Sequence, residues 1–174
     1  RIARGIQPVE KAAAKISPLL IFFGLLSIFV AVFSMVAQIN LKKLIAFSSI
    51  EHAGLMLIGV GLGTPIAIFW VVFHMLAHSF TKAILFFSAG IMHRQYGSMH
   101  AESIRNAFKL QPLASAGLII GGIAIIGMPP FAVFLSKFFI LLEIARFSPA
   151  LLFVVLLLLL VAISAFSLFM TKIF

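Results

Sequence analysis

Two histidines and a lysine are spaced by four residues in a hydrophobic stretch long enough to cross a lipid bilayer. They are His74, His78 and Lys82, between Phe69 and Met92. In an α-helix this spacing places the three side chains on one face, over about 12 Å. Histidine exchanges protons near neutral pH, and burial disfavours the charged form of lysine, so the set predicts proton transfer. The alternative is hydrogen-bonded structural histidines and a lysine that extends to the membrane surface.

A second hydrophobic segment carries Glu51 and His52 about two turns inside its start. We expect Glu51 to carry protons or to serve as the counter-ion of Lys82 or Lys137. A purely structural polar contact between helices is the alternative. Ser48 lies one turn before His52 and is expected to orient its ring.

The residues Gly127-Met128-Pro129-Pro130 interrupt another hydrophobic region, and Lys137 follows about two turns later. Within a membrane, a broken helix is tolerated where it is buried or lines a cavity, and transporters place ion sites there. The pattern therefore predicts a discontinuous helix that positions Lys137 for proton transfer. A tight hairpin between two short helices, with Lys137 extending to the membrane surface, is the alternative.

Six hydrophobic segments must position these residues, and they predict an all-α, polytopic transmembrane helix bundle. The spans lie at about 18–37, 44–62, 65–93, 112–127, 131–145 and 149–170. Residues 1–174 are expected to form one transmembrane domain, with an extramembrane loop at 94–111. Because the chain starts at Arg1 rather than Met, we expect a fragment of a larger protein.

The composition excludes several other classes of protein. The chain is 63% hydrophobic, with a mean hydropathy of +1.25, which is more apolar surface than a soluble domain of 174 residues buries. No cysteine is present, so disulfide, thiol and iron–sulfur chemistry are excluded. The net charge of +9 fits lysines and arginines at membrane interfaces rather than nucleic-acid binding.

Histidines at these positions also suggest cofactor sites. A b-type haem protein, with His52, His74 or His78 as axial ligands, is an alternative of another class. It leaves Lys82 and the proline break without a role. A metal site at His74 and His78 lacks a third ligand on the same face. We therefore expect no cofactor and no metal.

Three stretches carry a resemblance to a known family. They read LKKLIAFSSIEHAG from residue 41, FHMLAHSFTKAILFFSAG from residue 73 and GMPPFAVFLSKFFI from residue 127. In this order they resemble the proton-conducting membrane transporter family. It includes the antiporter-like subunits of respiratory complex I, membrane subunits of energy-converting hydrogenases, and large subunits of multisubunit cation/proton antiporters. The SSIEHAG version is most similar to hydrogenase 4 component F.

The resemblance implies a proton-translocating subunit of a redox-driven complex, of hydrogenase 4 or NADH:quinone oxidoreductase type. Its partners would be other membrane and redox subunits, and this chain would hold no redox centre. Its location would be the cytoplasmic membrane of a bacterium or archaeon. A sodium/proton antiporter subunit is the alternative, although the chain is poor in the carboxylates that sodium prefers.

The resemblance also assigns positions within the family pattern. Lys82 matches the central polar axis, with His74 and His78 beside it. Lys137 matches the second broken helix of the family, and His52 a polar position after the basic turn. The chain resembles the C-terminal half of the conserved core. The lysine and glutamate of the family's first half are not present, so the chain is expected to hold at most half of a proton path.

Overall fold

A computed structural model describes residues 2–104 and 106–174, with side chains from residue 15 onward. These ranges contain seven α-helices and one 3-10 turn, and no strand. The helices are α1 (Ile2–Val36), α2 (Leu41–Gly61), α3 (Pro65–Tyr96), α4 (Ala107–Leu110), α5 (Pro112–Ile126), α6 (Ala132–Phe147) and α7 (Pro149–Ile173), and the 3-10 turn is Ala101–Ser103. The all-α prediction is confirmed.

Local sequence explains where the helices begin and end. The side chains of Asn40, Thr64 and Ser148 cap α2, α3 and α7 by accepting backbone N–H groups. Proline occupies the first position of α3, α5 and α7, where its missing N–H costs nothing. Gly97 and Gly127 end α3 and α5 with φ angles of 65° and 88°, a conformation that glycine adopts without strain.

Helices α5 and α6 follow one another along α3 and run antiparallel to it. The contacts pair Gln95 with Gln111, Ser88 with Gly117, His74 with Ser136, and the Thr64 cap with Glu143, in that order along α3. A hairpin would instead lay α6 back against α5. The pair is therefore one discontinuous crossing, broken around Pro129-Pro130 as the sequence predicted.

This arrangement changes the number of crossings. The sequence counted α5 and α6 as separate spans, but they have 15 and 16 residues. At 1.5 Å per residue, each is shorter than the ~30 Å hydrocarbon core. The segments Lys15–Val36, Leu41–Gly61, Pro65–Tyr96 and Pro149–Ile173 are long and apolar enough to cross alone. Together with the α5–α6 pair they make five crossings rather than six.

The five crossings define two sides of the molecule. One side contains the predicted loop at 94–111, and we call it the loop side. Gln38, His100 and Lys172 lie there and line one cavity. The opposite side contains Thr64 and the C-terminal ends of α2 and α6, and we call it the Thr64 side. The predicted extramembrane loop at 94–111 starts within α3, which continues to Tyr96, and it packs four apolar residues inward: Met99, Ala101, Ile104 and Ala107. Its location outside the membrane and the single transmembrane domain remain predictions, and Arg105 of this loop lies outside the described residues.

The outer surface is apolar and the polar residues face inward. Phe80 and Phe87 on α3 are 74% and 75% exposed, as expected of residues that face lipid. At the α1–α2 crossing, an added Cβ on Gly24 or Gly54 would lie 2.7 or 2.6 Å from the other glycine's carbonyl oxygen. This close approach seats α2 deeply, so that its polar face lies against α3 and α6.

Candidate functional site

Lys82 is buried between α3 and α2. Its Nζ donates a hydrogen bond to Ser48 Oγ at 2.6 Å and another to the carbonyl oxygen of Ile45. Ser48 in turn donates to the same carbonyl at 3.0 Å, so its lone pairs are free to accept from the lysine. With 7% of Lys82 exposed, the side chain does not extend to the membrane surface. Neutral oxygen atoms alone hold its ammonium group among the described residues.

Two histidines join α2 to α3, and a serine joins them to α6. His52 Nδ1 lies 2.9 Å from His74 Nε2, and His74 Nδ1 lies 2.7 Å from Ser136 Oγ. All three residues are completely buried. The contacts form a continuous hydrogen-bonded chain across three helices.

Glu51 connects this chain to a second lysine. Its Oε1 accepts from Lys137 Nζ at 3.3 Å, and its Oε2 lies 3.5 Å from His52 Nε2. Glu51 is 2% exposed and Lys137 7%, so the pair is shielded from solvent. Of the two lysines that the sequence offered as partners of Glu51, the structure selects Lys137. Extension of Lys137 to the membrane surface is not observed.

The first and the last residue of this series of contacts both lie on α6. Ser136 and Lys137 are consecutive in α6, so the order Ser136–His74–His52–Glu51–Lys137 leads from α6 through α3 and α2 back to α6. We call these five residues the buried polar circuit. It ties the start of α6, just after the helix break, to both neighbouring helices at once.

His78 lies beside the circuit without joining its hydrogen bonds. Its ring centroid is 4.7 Å from that of His52 and 6.1 Å from that of His74. His78 Nε2 is buried and has no hydrogen-bond partner among the described residues. A buried ring nitrogen of this kind is available to exchange a proton.

A small cavity lies between the partners of the two lysines. It measures about 10 Å³, close to the smallest space that holds one water molecule. Ser48, Glu51, His52 and Lys137 line it, together with apolar residues of α1, α5 and α7. Ser48 is the partner of Lys82, and Glu51 is the partner of Lys137. One water molecule here would connect the two lysine sites by hydrogen bonds.

Residues 1–170 match the family described as NADH:quinone oxidoreductase/Mrp antiporter, TM. The chain is a member of this family. Its apolar spans and its family together make it an integral membrane protein. The resemblance drawn from the three sequence motifs is confirmed.

Individual members of the antiporter family show how far the similarity extends. The chain is 34% identical over 139 residues to a hydrogenase-4 component F homolog from Methylacidiphilum infernorum (isolate V4), which covers 80% of this chain and 29% of the relative. A chain of the membrane-bound sulfane sulfur reductase, an archaeal respiratory membrane complex, is 33% identical with a TM-score of 0.85, covering 91% of this chain and 33% of that one.

Similarity of fold extends further than similarity of sequence. A chain of respiratory complex I from Thermus thermophilus has a TM-score of 0.87 at 24% identity, covering 97% of this chain and 36% of that one. At this identity the match shows the fold alone. The chain spans about a third of the length of these relatives.

The six candidate residues lie in one cluster of this family member, although their roles remain predictions. The cluster unites Glu51, His52, His74, His78, Lys82 and Lys137 between α2, α3 and α6. One expectation is wrong: Ser48 holds the ammonium group of Lys82 and does not orient the ring of His52. The side chain of Ser48 points toward α3, and its hydroxyl group accepts a hydrogen bond from Lys82.

Sequence reasoning missed Ser136 as a member of the site. Its neighbour Lys137 attracted attention because a buried charge is costly, whereas a serine in a helix is common. Its position could have indicated a role, because Ser136 directly precedes Lys137 and lies within the first two turns after the break.

A second buried carboxylate lies on the Thr64 side. Glu143 is 6% exposed, and its Oε2 accepts a hydrogen bond of 2.9 Å from Thr64 Oγ1. Arg146 donates to Oε1 and has a side chain that is 63% exposed. The group joins the α2–α3 turn to the end of α6, and we assign it a structural role.

The geometry does not suit a haem or a metal ion. The rings of His52, His74 and His78 are in contact, with centroids 4.7 to 6.1 Å apart, so a porphyrin has no gap to enter between them. Among the described residues, no group of three or more His, Cys, Asp or Glu side chains is arranged to hold a metal ion.

Proposed function

We propose that this chain is the proton-conducting part of a membrane subunit in a redox-driven complex, of hydrogenase 4 or NADH:quinone oxidoreductase type. The observation that carries the proposal is the burial of two lysines, two histidines and a glutamate in one cluster within the spans, with the half-buried ring of His78 against it. Such groups are costly in a membrane and mark ion or proton pathways. Electron transfer would take place in partner subunits.

The contacts support a specific order of proton transfer. Lys82 gives a proton through Ser48 and a water molecule in the small cavity to Glu51. From Glu51 the proton moves to His52, or to Lys137 once Lys137 has released its own proton; the two residues face different oxygens of the carboxylate. Each transfer covers a contact of 3.5 Å or less, or one bridging water molecule, so it needs little motion of the backbone.

The relatives support the setting of this protein. They include a hydrogenase-4 component F homolog and a chain of an archaeal respiratory membrane complex, and these names describe components of larger assemblies. We accordingly place the chain in the cytoplasmic membrane of a bacterium or archaeon, with other membrane and redox subunits as its partners.

A sodium/proton antiporter subunit is the second candidate. A relative in Rhizobium meliloti (strain 1021), whose name describes part of a probable K(+)/H(+) antiporter, is 32% identical over 114 residues, which are 66% of this chain and 11% of the relative. Hard cations prefer several oxygen ligands. In the cluster, Glu51 is the one carboxylate among the described residues, and Lys137 already neutralises it. Protons therefore fit the site better than sodium.

The decisive experiment uses the full-length protein in its complex, reconstituted in proteoliposomes and supplied with electrons. Lys82→Ala is expected to abolish proton uptake, measured with a pH-sensitive dye, while assembly and electron transfer persist. Lys172→Ala changes an exposed lysine at the loop side and serves as the matched control. Unchanged proton uptake in K82A would remove Lys82 from the mechanism. Transport that requires sodium ions would favour the antiporter candidate.

A further inference from the structure

We infer that Ser136 determines which ring nitrogens of His74 and His52 carry a proton, and thereby keeps His52 Nε2 open to receive a proton from Lys137 through Glu51. The purpose of this arrangement rests on the proposed function. The assignment of the protons is a separate claim, because it follows from hydrogen-bond geometry.

The argument begins at the hydroxyl group of Ser136. Its oxygen lies 3.1 Å from the carbonyl oxygen of Ala132, 3.0 Å from that of Val133, and 2.7 Å from Nδ1 of His74. Carbonyl oxygens can only accept, so the hydroxyl hydrogen must lie toward them to avoid repulsion between unshared electron pairs. The lone pairs of the serine then accept a hydrogen bond from His74 Nδ1–H.

The protonation pattern of both histidines follows. With its single proton on Nδ1, neutral His74 presents a bare Nε2, which accepts the 2.9 Å hydrogen bond from His52 Nδ1–H. Neutral His52 therefore has no proton on Nε2. That nitrogen is buried, makes no hydrogen bond among the described residues, and lies 3.5 Å from Glu51 Oε2. A lone pair facing a carboxylate is unfavourable, and an added proton removes the repulsion.

Lys137 is placed to supply that proton. Its ammonium group gives one proton to Glu51 Oε1 across 3.3 Å. A half-turn about the Cγ–Cδ bond of Glu51 brings the protonated oxygen to His52, and the proton moves to Nε2. The products are a neutral amine at Lys137, a carboxylate at Glu51 and an imidazolium at His52. The number of protons is unchanged, and one positive charge has moved from α6 to α2.

The opposite pattern would block this transfer. If Ser136 donated to His74 Nδ1, His74 Nε2–H would donate to His52 Nδ1, and the proton of His52 would occupy Nε2. Nothing could then be accepted from Glu51. Ser136 is therefore a positioning residue that acts through His74 and does not itself receive the transferred proton.

The test is nitrogen NMR of the full-length protein in its complex, with ¹⁵N-labelled histidine, in lipid. We expect wild-type His74 and His52 to show Nδ1–H and a bare Nε2. Ser136→Ala removes the acceptor and is expected to eliminate the Nδ1–H signal of His74, while Ser136→Thr retains the hydroxyl and the wild-type pattern. Ser115→Ala is the control, because Ser115 is also fully buried and donates to the carbonyl of Gln111 at 2.8 Å.

The outcomes separate this inference from the proposed function. A proton on His74 Nε2 in the wild type, or a spectrum that S136A leaves unchanged, would overturn the inference. If S136A does not fold, the wild-type spectrum alone decides. If the tautomers are as assigned but K82A still takes up protons, the proposed function fails and the assignment stands.

Discussion

Lys82 donates its hydrogen bonds to Ser48 and to a backbone carbonyl of α2, whereas Lys137 faces the carboxylate of Glu51. The two buried lysines thus have different surroundings, although their partners Ser48 and Glu51 line the same small cavity. Neutral dipoles stabilise an ammonium group less than a carboxylate does. The difference favours movement of a proton away from Lys82 and toward the side of the site that holds Glu51.

Replacing Ser48 with alanine is expected to slow proton uptake and to lower stability. Lys82 loses one of its two acceptors, and a hydrogen bond to a charged group contributes about 1.5–3 kcal/mol. Ser49→Ala is the control, because Ser49 lies on the same helix, 3.5 Å from the same carbonyl, and does not contact Lys82. Proteoliposome uptake rates and thermal unfolding would measure both effects. Equal rates in S48A and S49A would contradict the role given to Ser48.

Neutralising Glu51 alone is expected to destabilise the protein more than replacing both Glu51 and Lys137 with uncharged residues. Glu51→Gln leaves the buried ammonium of Lys137 without a counter-ion, and breaking a buried pair costs about 3–5 kcal/mol. The double variant E51Q/K137M removes both charges and should recover much of this loss. A double-mutant cycle on thermal unfolding would show the coupling, with the exposed Glu102→Gln as control. Additive effects would show that the pair is not coupled.

Alanine at two helical glycines is expected to change stability in opposite directions. At Gly54 the new Cβ would lie 2.6 Å from the carbonyl oxygen of Gly24, and such overpacking costs about 1–3 kcal/mol. At Gly90 nothing lies within 4 Å, and alanine is favoured over glycine in a helix by about 0.5–1 kcal/mol. Thermal unfolding in detergent would compare the two. A neutral G54A would mean that the α1–α2 crossing tolerates separation.

Thr64→Val is expected to be more costly than the loss of an ordinary helix cap. The variant removes the cap of α3, which contributes about 0.5–2 kcal/mol, and also leaves the buried carboxylate of Glu143 short of one donor. Ser148→Ala removes only the cap of α7 and is the matched comparison. Equal losses in thermal stability for T64V and S148A would show that the bond to Glu143 contributes little.

Much of the fold could be predicted because its causes are local. Runs of about 20 apolar residues form membrane spans whatever their neighbours are, and capping residues act within one turn. The starts of α3 at Pro65 and of α7 at Pro149 match the predicted spans, whereas α2 starts at Leu41, three residues before the predicted start at 44. The sequence listed α5 and α6 as two segments because both are apolar, and only their order along α3 shows that they follow one another as one discontinuous helix.

The sequence could not predict which side chains of neighbouring helices contact one another in the site, and the reason is different. Helical spacing determines which residues share a face of one helix, so His74, His78 and Lys82 were correctly grouped. It does not determine how far a neighbouring helix is shifted or rotated. Glu51 had two candidate lysines, and Ser48 was assigned to His52 because the two lie one turn apart on α2.

By itself, the sequence determined that this chain is a bundle of membrane helices with ionisable groups deep inside it, because hydrophobicity and charge are properties of each segment. Only the tertiary structure decided that Ser48 holds Lys82, that Glu51 pairs with Lys137, and that Ser136 completes the buried polar circuit. These contacts depend on the depth at which α2 packs against α1 and on where α6 resumes after the break. The packing depth of α2 and the start of α6 depend on contacts between helices that are far apart in the chain. A local sequence pattern cannot predict such contacts.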